Sequence, residues 1–167
     1  MDDPGSLIIK ILLLFVLILI NAFFAMSEIA IISLNDNLID KQAEDGNKKA
    51  QKVKKLTENP SNFLSTIQIG VTLAGFLTSA SASTTFAEML TEAILSISPS
   101  MASFSGIISG ASIVIITLIM SYFSLVLGEL APKRMAMQKP EKIAFKVVGI
   151  LLVVKRVCSP FVKILSF

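Results

Sequence analysis

Three long apolar stretches alternate along the chain with segments in which charged residues recur every few positions. Residues 7–32 carry only Lys10 and Glu28 as charges, and residues 63–82 and 104–127 carry none. Each stretch is long enough to cross about 30 Å of hydrocarbon as a helix. The pattern therefore predicts an all-α membrane protein with three transmembrane helices. The polar connection at residues 36–60 mixes acids and lysines among good helix formers, with Gly46-Asn47 as its only breaker, and reads as one or two short helices. Asn59-Pro60-Ser61-Asn62 punctuates the start of the second span, with Ser61 or Asn62 available as the cap. The serine-rich run from Ile94 to Ser105 reads as a loop. Pro140-Glu141 opens a last segment, residues 141–165, whose apolar run Val147 to Val154 is too short to cross and is bracketed by Lys146 and Lys155. That segment is expected to lie in the interface as a belt-like basic helix, bent or ended by Pro160.

Composition agrees: 53% of the 167 residues are apolar, 16% are charged, and mean hydropathy is +0.76. The start, MDDPGS, is acidic and no small-residue cleavage site follows the apolar run, so the first span reads as retained. A lone Cys158 excludes an internal disulfide and suits a small apolar filler. With no histidine in the chain, Ser-His-Asp triads, His-based zinc hydrolases and histidine proton relays are all excluded. No enzymatic activity is expected. A net charge of +3 implies no nucleic-acid partner, but the placement of the basic residues is informative. Six lysines (Lys41, Lys48, Lys49, Lys52, Lys54 and Lys55) lie between the first two spans, and eight basic residues, Lys133 through Lys163, follow the third. Between spans two and three there is no Lys or Arg. The positive-inside rule then puts the N-terminus outside and the lysine loop and C-terminus in the cytoplasm of a cell whose plasma membrane the chain crosses several times.

Candidate chemistry centres on Glu129. It stands at the end of 36 uncharged residues, Ala93 to Gly128, in the string SYFSLVLGELAPKR. A charged side chain at such depth costs roughly 2.5 to 3.5 kcal/mol on insertion scales, so it is expected to face a cavity, a partner or an ion. Pro132 donates no backbone bond to the preceding turn and leaves a carbonyl free. A carboxylate with loose carbonyls suits a hard cation. Lys133 reads as a membrane-surface anchor, and the partners foreseen for Glu129 are hydroxyls, amides and carbonyls.

The predicted topology puts Ser27 of span one and Glu129 of span three near the same membrane face, where span two begins with Ser65 and Gln68. Ser65, Gln68, Thr72, Gly75 and Ser79 recur at helical spacing along one face. Small and hydroxyl residues at that spacing also serve simply to pack membrane helices closely, and the stripe alone favours packing. Glu129 turns the balance toward ion contact. Asn21 is open to interhelical hydrogen bonding or to the ion path; Ser27 is preferred over its neighbour Glu28, which stays an ion-path or interfacial residue. An oxygen-only set with one carboxylate suits Mg²⁺, Ca²⁺ or Na⁺ rather than zinc or copper.

The strings NAFFAMSEIAIISL, NPSNFLSTIQIGVTLAGFLTSA and SYFSLVLGELAPKRMA together resemble the membrane domain of the CorC/CNNM proteins, also called the hemolysin C or cyclin M group. The resemblance covers essentially the whole chain. It implies a three-span domain with cytoplasmic juxtamembrane helices and a belt-like helix, assembled as a homodimer in the bilayer, taking part in Mg²⁺ export coupled to Na⁺ entry. A CBS-pair domain that binds ATP with Mg²⁺, and often a CorC_HlyC domain, is expected in the full-length protein; neither is found in these residues. The family's first-span serine and the glutamate of its G-E-x-x-P motif fall on Ser27 and Glu129, with Gly128 and Pro132 completing the motif. Gly70-Val71-Thr72 stands where many relatives have an asparagine after the glycine, so the span-two role passes to Thr72, with Ser65 and Gln68 beside it.

Two functions of different class follow. One is the membrane domain of a magnesium or other divalent-cation transporter. The other is a membrane anchor and dimerisation module for a cytoplasmic regulatory domain, without transport of its own. An intramembrane Ser-Lys hydrolase built on Lys133 is disfavoured, because the lysine should reach for water and no oxyanion-hole motif accompanies any serine.

Overall fold

The structure is a computed structural model that describes residues 4–165; Met1 to Asp3, part of the acidic start, lie outside it. Among the described residues every regular element is helical. Three helical runs, Gly5–Ile32, Pro60–Ile97 and Pro99–Gln138, are long and apolar enough to cross a membrane.

Helix α1 (Pro4–Ile32) ends before a short turn that leads to α2 (Asp36–Glu44), with Asn35 as its cap, the side chain accepting from Leu38 N. Gly46 has φ 89° and lets the chain reverse into α3 (Lys48–Thr57), capped by Asn47. The breaker read from Gly46-Asn47 is thus where one helix becomes two. At the next boundary the cap is Asn59, whose side chain accepts from Asn62 N, and not Ser61 or Asn62. Pro60 occupies the first turn, where a missing N–H costs nothing.

Helix α4 (Pro60–Ile97) runs 38 residues, about 57 Å at 1.5 Å per residue, so it extends well past residue 82 and beyond a bilayer's hydrocarbon. The serine-rich run is therefore no open loop. Helix covers it to Ile97, and a 3-10 turn, Pro99–Phe104, leads straight into α5 (Ser105–Leu125). Within that run the Ser96 hydroxyl donates back to Ala93 O at 2.8 Å. A five-residue π segment, Val126–Leu130, joins α5 to α6 (Ala131–Gln138). Helix α7 (Pro140–Leu165) carries Pro160 inside it and continues beyond, so the proline does not end it.

The apolar core lies at one end of the molecule, outside the middle of the spans. Ala30 and Ile31 of α1, Ile39 and Ala43 of α2, Ala50, Val53 and Leu56 of α3, Phe63 and Ile67 of α4, Ala136 of α6, and Ala144, Val147, Val148 and Leu151 of α7 form one cluster. Side chains such as Ile9, Phe15, Ile107 and Leu118 are instead exposed along the spans. Lipid tails satisfy an outward leucine as well as a protein core does, while the amphipathic α2, α3 and α7 must bury their apolar faces against something. Gln42 Nε2 donates to Glu141 Oε1 at 2.8 Å, and Lys155 Nζ donates to Leu56 O at 3.1 Å, tying α2 and α3 to α7.

Candidate cation site at the third-span π segment

Gly128 and Glu129 sit within the π segment, where Ala131 N donates to Val126 O, five residues back. Pro132 has no N–H, so neither the Leu127 nor the Gly128 carbonyl receives a bond from it. The wide turn and the proline together leave backbone oxygens short of donors beside a carboxylate. Short π segments of this kind are frequent at functional sites. The proline foreseen to leave a carbonyl without its donor thus stands directly after a helix segment that changes register.

Glu129 lines an open cleft of about 330 Å³ together with Asn21 of α1, Thr72, Gly75 and Ser79 of α4, and Ser121 and Ser124 of α5. Asn21 is 5% exposed, and its Oδ1 is buried without a hydrogen-bond partner. Backbones approach closely around it: a Cβ on Gly128 would fall 2.8 Å from Asn21 Nδ2, and one on Gly70 would meet the Phe24 ring at 2.7 Å. The glycines at 70 and 128 therefore set how near α1 comes to α4 and to the π segment.

The structure separates the span-two stripe into two parts. Thr72, Gly75 and Ser79 line the cleft; Ser65, half-buried, and Gln68, exposed, do not. Thr66 and Thr78, outside the cleft, are buried, and each donates to the carbonyl four residues back at 2.7 Å. Ser27 is fully buried and its Oγ donates to Phe23 O at 2.6 Å; it does not line the cleft.

Glu129 has a basic partner, contrary to the expectation of hydroxyl and amide neighbours alone. Lys133 Nζ lies 2.7 Å from Glu129 Oε1, one turn away on the same helix, and 3.4 Å from Glu28 Oε2 on α1. Lys133 is thus more than a surface anchor, and Glu28 takes a place that the preference for Ser27 had not given it. Both were legible in spacing. Glu129 and Lys133 are four apart on a helix, and Asn21 and Glu28 are seven apart and share a face. Ser121 and Ser124 went unnoticed; with Gly128 they recur at three and four residues, the period that marks one helical face.

A larger cleft, about 450 Å³, lies where α1, α2, α3 and α4 meet, lined by Asp36, Asp40, Lys54 and Glu58 above apolar residues. Its central charges already pair, Lys54 Nζ with Asp40 Oδ1 at 2.7 Å, and it contains no buried unpartnered acceptor. The Glu129 cleft is the better candidate for that reason. Among the described residues no three His, Cys, Asp or Glu side chains converge, so a cation there would meet mostly neutral oxygens.

The chain is similar to known proteins over nearly its whole length. It is 39% identical over 162 residues to UPF0053 protein sll0260 of Synechocystis, covering 97% of this chain and 35% of that protein. UPF0053 protein YhdP of Bacillus subtilis is 33% identical over 159 residues, 95% of this chain and 35% of its own length. A protein of Escherichia coli named Polyamine export protein is 29% identical over 159 residues, 92% of this chain and 33% of its own length. The chain thus spans about a third of the curated relatives it matches. The profile of the cyclin M transmembrane N-terminal domain matches residues 12–167, and with the three spans and the G-E-x-x-P segment in view, the chain belongs to the CNNM family as its transmembrane domain.

Proposed function

We propose that this domain binds a hard cation, Mg²⁺ foremost, in the Glu129 cleft and passes it across the plasma membrane outward, with Na⁺ as the coupled ion. The observation that carries the reading is that Asn21, which lines the cleft with a carboxylate and several hydroxyls, has in Oδ1 a buried acceptor without a donor. Leaving such an atom unpaired costs about 1 to 3 kcal/mol, and a hard cation is a partner that carboxylate, amide and hydroxyl oxygens together suit. Glu129 supplies charge. Asn21, Thr72, Ser79, Ser121 and Ser124 supply neutral oxygens, with Ser27, Ser65 and Gln68 of the resemblance-based set held in reserve along the path. Few formal charges against a divalent ion give modest affinity, which suits release. The lysine-rich end is cytoplasmic in this reading, and a homodimer completes the pathway.

The test is the melting temperature of the purified protein in detergent against Mg²⁺, with Glu129→Ala in parallel. Binding to the folded state alone stabilises by about 2.7 kcal/mol at a hundredfold excess over Kd. Saturable stabilisation that Glu129→Ala abolishes supports the reading. No shift in either protein removes it and leaves the anchor and dimerisation module in its place.

A second cargo is favoured by one observation. Lys133 shows that a primary ammonium fits between Glu28 and Glu129, and a relative is named for polyamine export. Spermidine that stabilises the protein and competes with Mg²⁺ would make an organic polycation the cargo.

A further inference from the structure

Glu129 belongs to two surroundings at once. On one side is the cleft with the unpartnered Asn21 Oδ1; on the other is the Lys133 ammonium, 2.7 Å away, which also reaches Glu28 at 3.4 Å. We propose that Lys133 is a tethered counter-cation that holds Glu28 and Glu129 while no ion is bound and is displaced when a cation enters the cleft. This rests on the reading of the cleft as a cation site.

Charge accounting supports exchange over coexistence. Two carboxylates and one ammonium leave a single negative charge. A divalent cation added to that set leaves a single positive charge in a medium that penalises any net charge. Only withdrawal of the ammonium makes the ion-loaded set neutral. The lysine has the means to leave: its side chain is 28% exposed, on a flexible four-carbon stem that can carry the ammonium to headgroups and water. Glu129, 33% exposed, is then free to turn its carboxylate wholly to the cleft. Lys133 is in this sense a positioning residue. It offsets one of the two carboxylate charges of the empty site and, by competing, keeps affinity low enough for release.

The experiment acetylates wild-type protein in detergent with a water-soluble amine reagent and follows each lysine by peptide mass mapping, with and without saturating MgCl₂. Exposed Lys48 serves as the internal reference. Mg²⁺ binding is measured alongside by thermal shift. Linked binding events typically couple by factors of about 5 to 150. Lys133 is therefore expected to acetylate at least about fivefold faster with Mg²⁺ while Lys48 is unchanged. By the same coupling Lys133→Met should bind Mg²⁺ at least about fivefold more tightly than wild type, whereas Lys133→Arg, which keeps the charge, should stay near it. A merely structural lysine would not produce that split. Mg²⁺-dependent stabilisation with unchanged Lys133 labelling overturns the tethered cation and leaves the ion site standing. No Mg²⁺-dependent stabilisation in wild type overturns both.

Discussion

Gly128 lies so close to Asn21 that a single methyl group on it would fall 2.8 Å from the amide nitrogen, inside any ordinary contact. The two residues sit on different spans, one in α1 and one in the π segment, and the absence of a side chain at 128 is what lets the amide stand at the wall of the Glu129 cleft. Gly128→Ala should therefore push Asn21 aside. Helix propensity gains up to about 1 kcal/mol from the same change, so stability is expected to move little. Ion-dependent stabilisation should fall while the melting temperature without ion stays near wild type; a variant with full ion response would show that Asn21 is not part of the site.

Asn21→Leu tests the unpaired acceptor directly. It removes a buried oxygen that has no donor, which is expected to raise stability without ion by about 1 kcal/mol. The Mg²⁺ response should shrink in the same protein. Thermal melts with and without MgCl₂ give both quantities, and a destabilised variant with an intact Mg²⁺ response would contradict the assignment.

Leu56 is fully buried in the cluster that joins α3 to α7, and its carbonyl accepts from Lys155. Leu56→Ala should cost about 2 to 5 kcal/mol, the range for truncating a buried leucine. Leu118→Ala, on an exposed stretch of α5, should cost far less. Comparable losses at the two positions, read from detergent melts, would mean that the spans carry more packing than the monomer shows.

Lys54 is held above its usual pKa by a hydrogen bond from its ammonium to Asp40 and by that carboxylate's charge. A lysine raised on folding contributes stability that is complete below its unfolded pKa and is lost as pH climbs through the raised folded value. Between about pH 6 and 9 the pair should therefore leave melting temperature flat, and its contribution should fade only at more alkaline pH. Because both partners are about half exposed, Lys54→Met should shift the melting temperature only slightly at neutral pH. A melting series of the two proteins from pH 6 to about 11 checks the shape.

Glu28→Gln separates the two carboxylates that share Lys133. With Glu28 neutral, Lys133 remains on Glu129 alone and competes for it more fully, so the Mg²⁺ concentration at half-maximal stabilisation should rise by about tenfold or less. Glu129→Ala should instead abolish the response. Equal effects of the two changes would mean that Glu28 contacts the ion itself.

The sequence by itself determined the three spans, the break at Gly46-Asn47, the family and the weight on Glu129. The reason is that hydrocarbon imposes a demand that composition alone answers: some twenty uncharged residues cross, and an acid among them stands out. Spacing along one helix was also available, which is why Glu129 and Lys133 were within reach of sequence reasoning. What only the tertiary structure decided is which faces of different helices meet. Ser65 and Gln68 share a helical period with Thr72, yet the cleft takes Thr72, Gly75 and Ser79 and leaves the first two outside. Glu28 and Asn21, apart from Ser27 by one and six positions, reach the third span because glycine at 128 and a π turn let that backbone approach α1. A one-residue change of register in a helix rotates every later side chain by about 100°, and nothing in the pattern of apolar residues records it.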